Sequence, residues 1–95
     1  MIDFHPEALS ELKESLAWYL DRSSGAASAF LVSVRERLAV IERNPERYPR
    51  DGHGFRSGAV SKYPFVIIYR ETNKGVRVIA VAHTARRPGY WRKRV

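Results

Sequence analysis

Residues 56–94 read RSGAVSKYPFVIIYRETNKGVRVIAVAHTARRPGYWRKR. Two apolar runs stand in this stretch, Phe65–Tyr69 and Val76–Ala82, with the polar Glu71-Thr72-Asn73-Lys74-Gly75 between them. Both runs are short, rich in Val, Ile and Tyr, and bounded by turn residues, which predicts strands rather than helix. Asn73 and Gly75 tolerate the positive φ of a reversal, so Asn73-Lys74-Gly75 suits a hairpin loop of roughly three to five residues. In the second run Val76, Val78, Ala80 and Ala82 alternate with Arg77, Ile79, Val81 and His83. Both sets contain apolar side chains, so the expected sheet carries helices on one face and partial cover on the other. Past that run the chain turns basic and aromatic, bringing His83, Arg86, Arg87, Tyr90, Trp91, Arg92, Lys93 and Arg94 to one end of the hairpin.

Working back towards the start, a weakly alternating strand is expected from about Phe55 to Ser61. Before it lies a loop punctuated by Pro45, Pro49, Gly52 and Gly54. Ala27, Phe30, Leu31, Val34, Leu38 and Ile41 form an apolar stripe at helical spacing, which predicts a helix from Ser24 to Arg43. Asn44-Pro45 stops it, because the residue before a proline disfavours the helical region. Leu9, Leu12, Leu16 and Tyr19, with Leu20 beside them, predict an earlier helix from about Pro6 to Leu20. Pro6 suits its first turn, and Glu7 and Glu11 suit its positive N-terminal end. Asp21 to Gly25 breaks the pattern, with Ser23 or Ser24 capping the second helix. Ile2 to His5 is a candidate first strand. The expected order is β-α-α-β-β-β, an α+β fold in two layers with a helical hairpin on a mainly antiparallel sheet.

The 95 residues make one domain, 1–95. The absence of cysteine excludes disulfides, thiolate nucleophiles and cysteine-ligated zinc. Three scattered histidines are no metal-ligand set, and no cofactor is expected. The start, Met-Ile-Asp-Phe-His, has no apolar leader core, and no apolar run is long enough to span a bilayer, so a cytoplasmic protein is expected. Charge is uneven. Residues 1–48 hold six Lys/Arg and eight Asp/Glu, net −2, while residues 49–95 hold eleven and two, net +9. The second half therefore calls for an anionic partner.

Three stretches, Tyr63-Pro64-Phe65-Val66-Ile67-Ile68-Tyr69-Arg70, Val78-Ile79-Ala80-Val81-Ala82-His83 and Arg86-Arg87-Pro88-Gly89-Tyr90-Trp91, resemble the RelE/ParE toxin superfamily. Asn44-Pro45 and Tyr48-Pro49 after two helices extend the resemblance to essentially the whole chain. It implies the same β-α-α-β-β-β fold. It also implies a growth-inhibiting, plasmid-stabilising toxin of a type II toxin–antitoxin module, neutralised by a small cognate antitoxin. RelE-like members are implied to be ribosome-dependent endoribonucleases acting on mRNA, and ParE-like members to poison DNA gyrase. The nuclease branch tends to carry an Arg where this chain has Val66 and another where it has Thr84, while its terminal Tyr lines up with Tyr90. Tyr63-Pro64-Phe65 and the spacing from His83 through Arg86-Arg87 to Trp91 resemble the ParE side. The resemblance leaves a homodimer and a hetero-oligomer with antitoxin both open.

Scission of RNA needs a proton acceptor, a proton donor and cations for the phosphorane charge. For a ribonuclease the candidates are Arg70, His83, Arg86 and Tyr90. The alternative for His83 is a strand-end residue bonded to neighbouring backbone. Arg86, Arg87, Arg92, Lys93 and Arg94 are candidates for binding antitoxin carboxylates or other anions. Their alternative is a solvated end. Tyr90 and Trp91 are expected to fold back on the core, with Gly89 allowing the bend, rather than stack on bases. Trp18 and Tyr19 are expected to pack on the helix face.

Overall fold

The computed structural model describes residues 1–94. The elements run β1 (Ile2–Phe4), α1 (Pro6–Arg22), α2 (Ser24–Arg43), a short 3₁₀ turn (Pro45–Arg47), β2 (Arg56–Ala59), β3 (Phe65–Thr72) and β4 (Gly75–His83). This is the expected order. The four strands form one sheet in the order β1-β4-β3-β2, with β1 parallel to β4 and the other pairs antiparallel. Both helices lie on one face, so the molecule has two layers.

Local chemistry explains the helical hairpin. His5 Nδ1 accepts the N–H of Glu7 at the start of α1, and Pro6 fills the first turn, where a missing donor costs nothing. A single extended residue, Ser23, then separates the helices. It ends α1 and caps α2, its hydroxyl oxygen accepting the N–H of Ala26 at 2.9 Å. Such a cap stabilises a helix by about 1 kcal/mol. Because Ser23 alone makes the break, α1 continues through Asp21 and Arg22, two residues past the expected end.

The layer between helices and sheet holds Phe30, Val34, Ile41, Ile67, Tyr69 and Val78, all essentially inaccessible to solvent. Tyr19 stacks on Phe30 with centroids 4.7 Å apart. Tyr69 is fully buried, and its hydroxyl donates to the Pro45 carbonyl at 2.7 Å, tying the 3₁₀ turn to the sheet. Trp18 differs from the expectation: it lies half exposed under the Arg22 guanidinium, 3.2 Å from its ring centroid. Leu9 and Leu20 also lie outside the packed stripe.

The sheet corrects three further expectations. Pairing in the β3–β4 hairpin closes to Thr72 opposite Gly75, so the turn is Asn73-Lys74 rather than a longer loop. Gly75 makes this work at φ +128, with the Met1 backbone packed where a Cβ would stand. Strand β2 is shorter than expected, from Arg56 to Ala59. Finally, β4 does not alternate regularly. Tyr69 pairs with Val78 but Ile68 pairs with Ala80, leaving Ile79 as an extra residue. An extra residue inverts the parity of everything after it. Val76, Val78 and Val81 therefore face the helices, while Ile79, Ala80 and Ala82 join Phe55 and Ile68 on the other face.

That second face is covered too. Gly89 turns the chain at φ +82, and Tyr90 and Trp91 fold over that face, which also carries Val66 of β3. The expected partial cover on the far side of the sheet is thus supplied by the molecule's own Tyr90 and Trp91.

Candidate functional site

The bulge and the shortness of β1 create the site. Strand β1 ends at Phe4, and the His5 N–H donates to the Val78 carbonyl at 2.8 Å. Beyond that point β4 has no strand beside it, and its edge groups must find other partners. The Val81 N–H donates to Glu11 Oε1 at 3.0 Å, and the Ile79 carbonyl accepts from Arg94 Nη1 at 3.1 Å. An acidic side chain of α1 and a basic one from the end of the described chain stand in for the missing strand.

Glu11 is the centre of this arrangement. Its Oε1 also accepts from Arg94 Nη1 at 2.9 Å. Its Oε2 accepts from Arg94 Nη2 at 3.1 Å, from Arg86 Nη1 at 3.1 Å and from the Tyr90 hydroxyl at 2.6 Å. The Arg94 pair is a two-pronged, charge-assisted contact of the strong kind. Both side chains are only 11% exposed. The Arg86 guanidinium lies 3.8 Å from the Tyr90 ring centroid and that of Arg94 5.0 Å, so the ring is set between two cations and a carboxylate. Burial, then the hydrogen bond and charge of Glu11, push the Tyr90 phenol up to about 12, with Arg86 and Arg94 opposing.

The structure divides the candidates named from the sequence. Arg86, Tyr90 and Arg94 come together on Glu11. Arg87, Arg92 and Lys93 stand exposed, and none has an acidic group within 4.0 Å among the described residues. His83 ends β4 with its ring edge-on to Phe65, and its Nδ1 accepts the N–H of Ala85 at 3.0 Å. That bond occupies the ring's lone pair in the neutral form and leaves Nε2–H as a donor. Arg70 lies apart on the far face of the sheet, 5.5 Å from the Phe55 ring, with Arg77 opposite it on β4.

Beside the Glu11 cluster a groove of about 410 Å³ opens between α1 and the sheet. Ser15, Trp18, Tyr19, Phe65, His83 and Arg86 are among the residues that line it. It is mainly apolar, with Arg86 and Glu11 at one end. Among the described residues no group of three or more His, Asp and Glu could hold a metal ion, and no helix is long and apolar enough to cross a membrane.

Glu11 is the residue that sequence reasoning missed. Its place near the start of α1 reads as a favourable charge on the helix end, which hides its second role. A signal was available: Glu11 falls among Ala8, Leu12 and Ser15 on the inward side of α1, an interior acid in a chain whose second half carries net +9.

Chemically, this is a cationic and aromatic cluster saturated from within by one carboxylate. It is equipped to hold an acidic group, and among the described residues the oxygens of its carboxylate are already engaged. A helical hairpin on a four-stranded sheet with a basic, aromatic end is the architecture of the RelE/ParE class of toxins. Over residues 2–88 the sequence matches the ParE toxin of the type II toxin–antitoxin system parDE. The chain belongs to that family, and is a toxin of a type II toxin–antitoxin system. A search of curated proteins finds none that matches it.

Proposed function

We propose that this toxin acts by binding, with DNA gyrase as its target, and that a cognate antitoxin silences it by occupying the basic end. The observation that carries the reading is the closed state of the Glu11 cluster. Attack by a ribose 2′-hydroxyl needs a base with a free lone pair near neutral pH. Tyr90 is displaced far from that range and donates to Glu11. His83 uses its lone pair on Ala85, and the Glu11 oxygens are already engaged by five hydrogen bonds. Arg70, the remaining nuclease candidate, makes none of the Glu11 contacts and stands instead by the Phe55 ring, with Arg77 opposite it on β4. Membership of the ParE family supports the same choice.

The antitoxin's contact is assigned to Arg87, Arg92 and Lys93, which stand exposed, and to Arg86, whose side chain is 52% exposed. Carboxylates of an extended or helical segment would pair with them. Induced expression without antitoxin tests the target, with plasmid supercoiling and translation followed in one culture. The expected result is growth arrest with early loss of supercoiling while translation continues. Early collapse of translation with cleaved ribosome-bound mRNA would overturn the reading in favour of a ribonuclease. Unimpeded growth would show a chain without toxicity.

A further inference from the structure

From Ala85 onward the chain is tied to the rest of the molecule through very few atoms. The Thr84 N–H donates to the Pro64 carbonyl at 2.9 Å, closing the end of the hairpin. Ala85 and Arg86 turn back on His83, while Arg92 and Arg94 donate to the carbonyls of Gly89 and Trp91. Apart from those two bonds to His83, every hydrogen bond among the described residues that leaves residues 85–94 ends on Glu11 or on the Ile79 carbonyl, and the latter comes from Arg94. The remaining hold is apolar: Tyr90 and Trp91 lie over Phe55, Ile68, Ile79, Ala80 and Ala82. That hold is imperfect, since among the described residues the buried Trp91 Nε1–H finds no partner. Five cations also lie within residues 86–94, and among the described residues only Glu7 and Glu11 approach them within 4.0 Å.

We propose that residues 84–94 form a strap that opens and recloses as a unit over the far face of the sheet, and that Glu11 is its latch. A segment with few ties, most of them to one side chain, opens at lower free energy than the strands beneath it. The His83–Arg86 turn is the hinge. Opening uncovers the apolar patch of Phe55, Ile68 and Ile79, and it releases Arg86 and Arg94 from their internal carboxylate. While the strap is closed, an outside anion reaches Arg94 only by replacing Glu11. The proposal concerns the free chain and does not depend on which target the toxin attacks.

Limited trypsin digestion followed by mass spectrometry tests it, on the full chain and on Glu11→Gln. The Arg86–Arg87 bond reports the strap, and the bonds after Lys13, Arg35 and Arg37 report the helices. The expected result is cutting at Arg86 ahead of the helix sites in the unaltered chain. Glu11→Gln should speed the Arg86 cut at least about tenfold, since charge-assisted bonds are lost and proteolysis follows the open population. The helix sites should still be cut later than Arg86, and the far-ultraviolet circular dichroism should not change. Simultaneous cutting of all sites in the unaltered chain would overturn the proposal, because opening would then require global unfolding. An Arg86 cut no faster in the variant than in the unaltered chain would overturn it as well. Should Glu11→Gln fail to fold, Arg94→Gln keeps the carboxylate in place and must show the same faster cut at Arg86, still ahead of the helix sites; an unchanged rate rejects the latch.

Discussion

At the scale of single residues, the Glu11–Arg94 pair is largely but not fully buried, and it has a route of escape. Removing one partner from a trapped buried ion pair costs about 3–5 kcal/mol, because the other charge is left without water. Here Arg94 is carried by a segment with few other ties. It can swing into solvent, so the expected loss for Glu11→Gln is only about 1–3 kcal/mol, the worth of charged hydrogen bonds. Urea unfolding measures this as a lower midpoint. A loss of the trapped-pair size would mean that Arg94 stays in place. Tyr90 supplies a second prediction. Its phenol titrates near 10 when unfolded and at about 12 in the fold, so the fold favours the protonated form. The resulting stability is fully present below pH 10 and is lost as pH rises from about 10 to about 12. Unfolding midpoints at alkaline pH should fall over that window, and Tyr90→Phe should lose the Tyr90 share of the fall. Tyr19 and Tyr69 are also raised by burial and keep their own share in the variant.

At the scale of elements, the β3–β4 hairpin is the most exposed to test at its turn. Gly75→Ala places a Cβ against the Met1 backbone and forces φ +128 on a residue that resists it. The variant should lose more than about 1 kcal/mol, read from thermal unfolding; unchanged stability would show that β1 can shift aside. The existence and order of the elements were legible in the sequence. The stripes of α1 and α2, Pro6, Ser23 and Asn44-Pro45 all announce themselves by period or by cap. The bulge at Ile79 was not legible. One added residue in a run of Val, Ile and Ala leaves no compositional mark, because both faces of β4 are apolar and either parity reads as plausible. Part of the site was lost for the same reason. The basic cluster was visible as a charge run, but its counter-ion lies 75 residues from Arg86 and 83 from Arg94 along the chain. Only the bulge turns the groups of Ile79 and Val81 towards it.

At the scale of the whole molecule, the charge imbalance survives folding. Internal pairing engages Arg86 and Arg94 and leaves Arg87, Arg92 and Lys93 on the surface of a chain with net charge +7. Surface residues away from packing change stability by no more than about 0.5 kcal/mol. Arg92→Glu should therefore leave the unfolding midpoint nearly unchanged while weakening antitoxin binding by about tenfold or more, as reversed charge at a contact replaces attraction with repulsion. Calorimetry of the variant against the cognate antitoxin checks it, and unaltered affinity would remove Arg92 from the interface. The two tryptophans add a practical consequence. Trp18 is half bathed in water beneath a guanidinium, whereas the indole nitrogen of Trp91 is sealed against the sheet. Their emission should differ in colour. With Trp18→Phe, the remaining fluorescence would come from Trp91 alone, so a red shift or new quenching by iodide would follow movement at the far face in real time, without any attached dye.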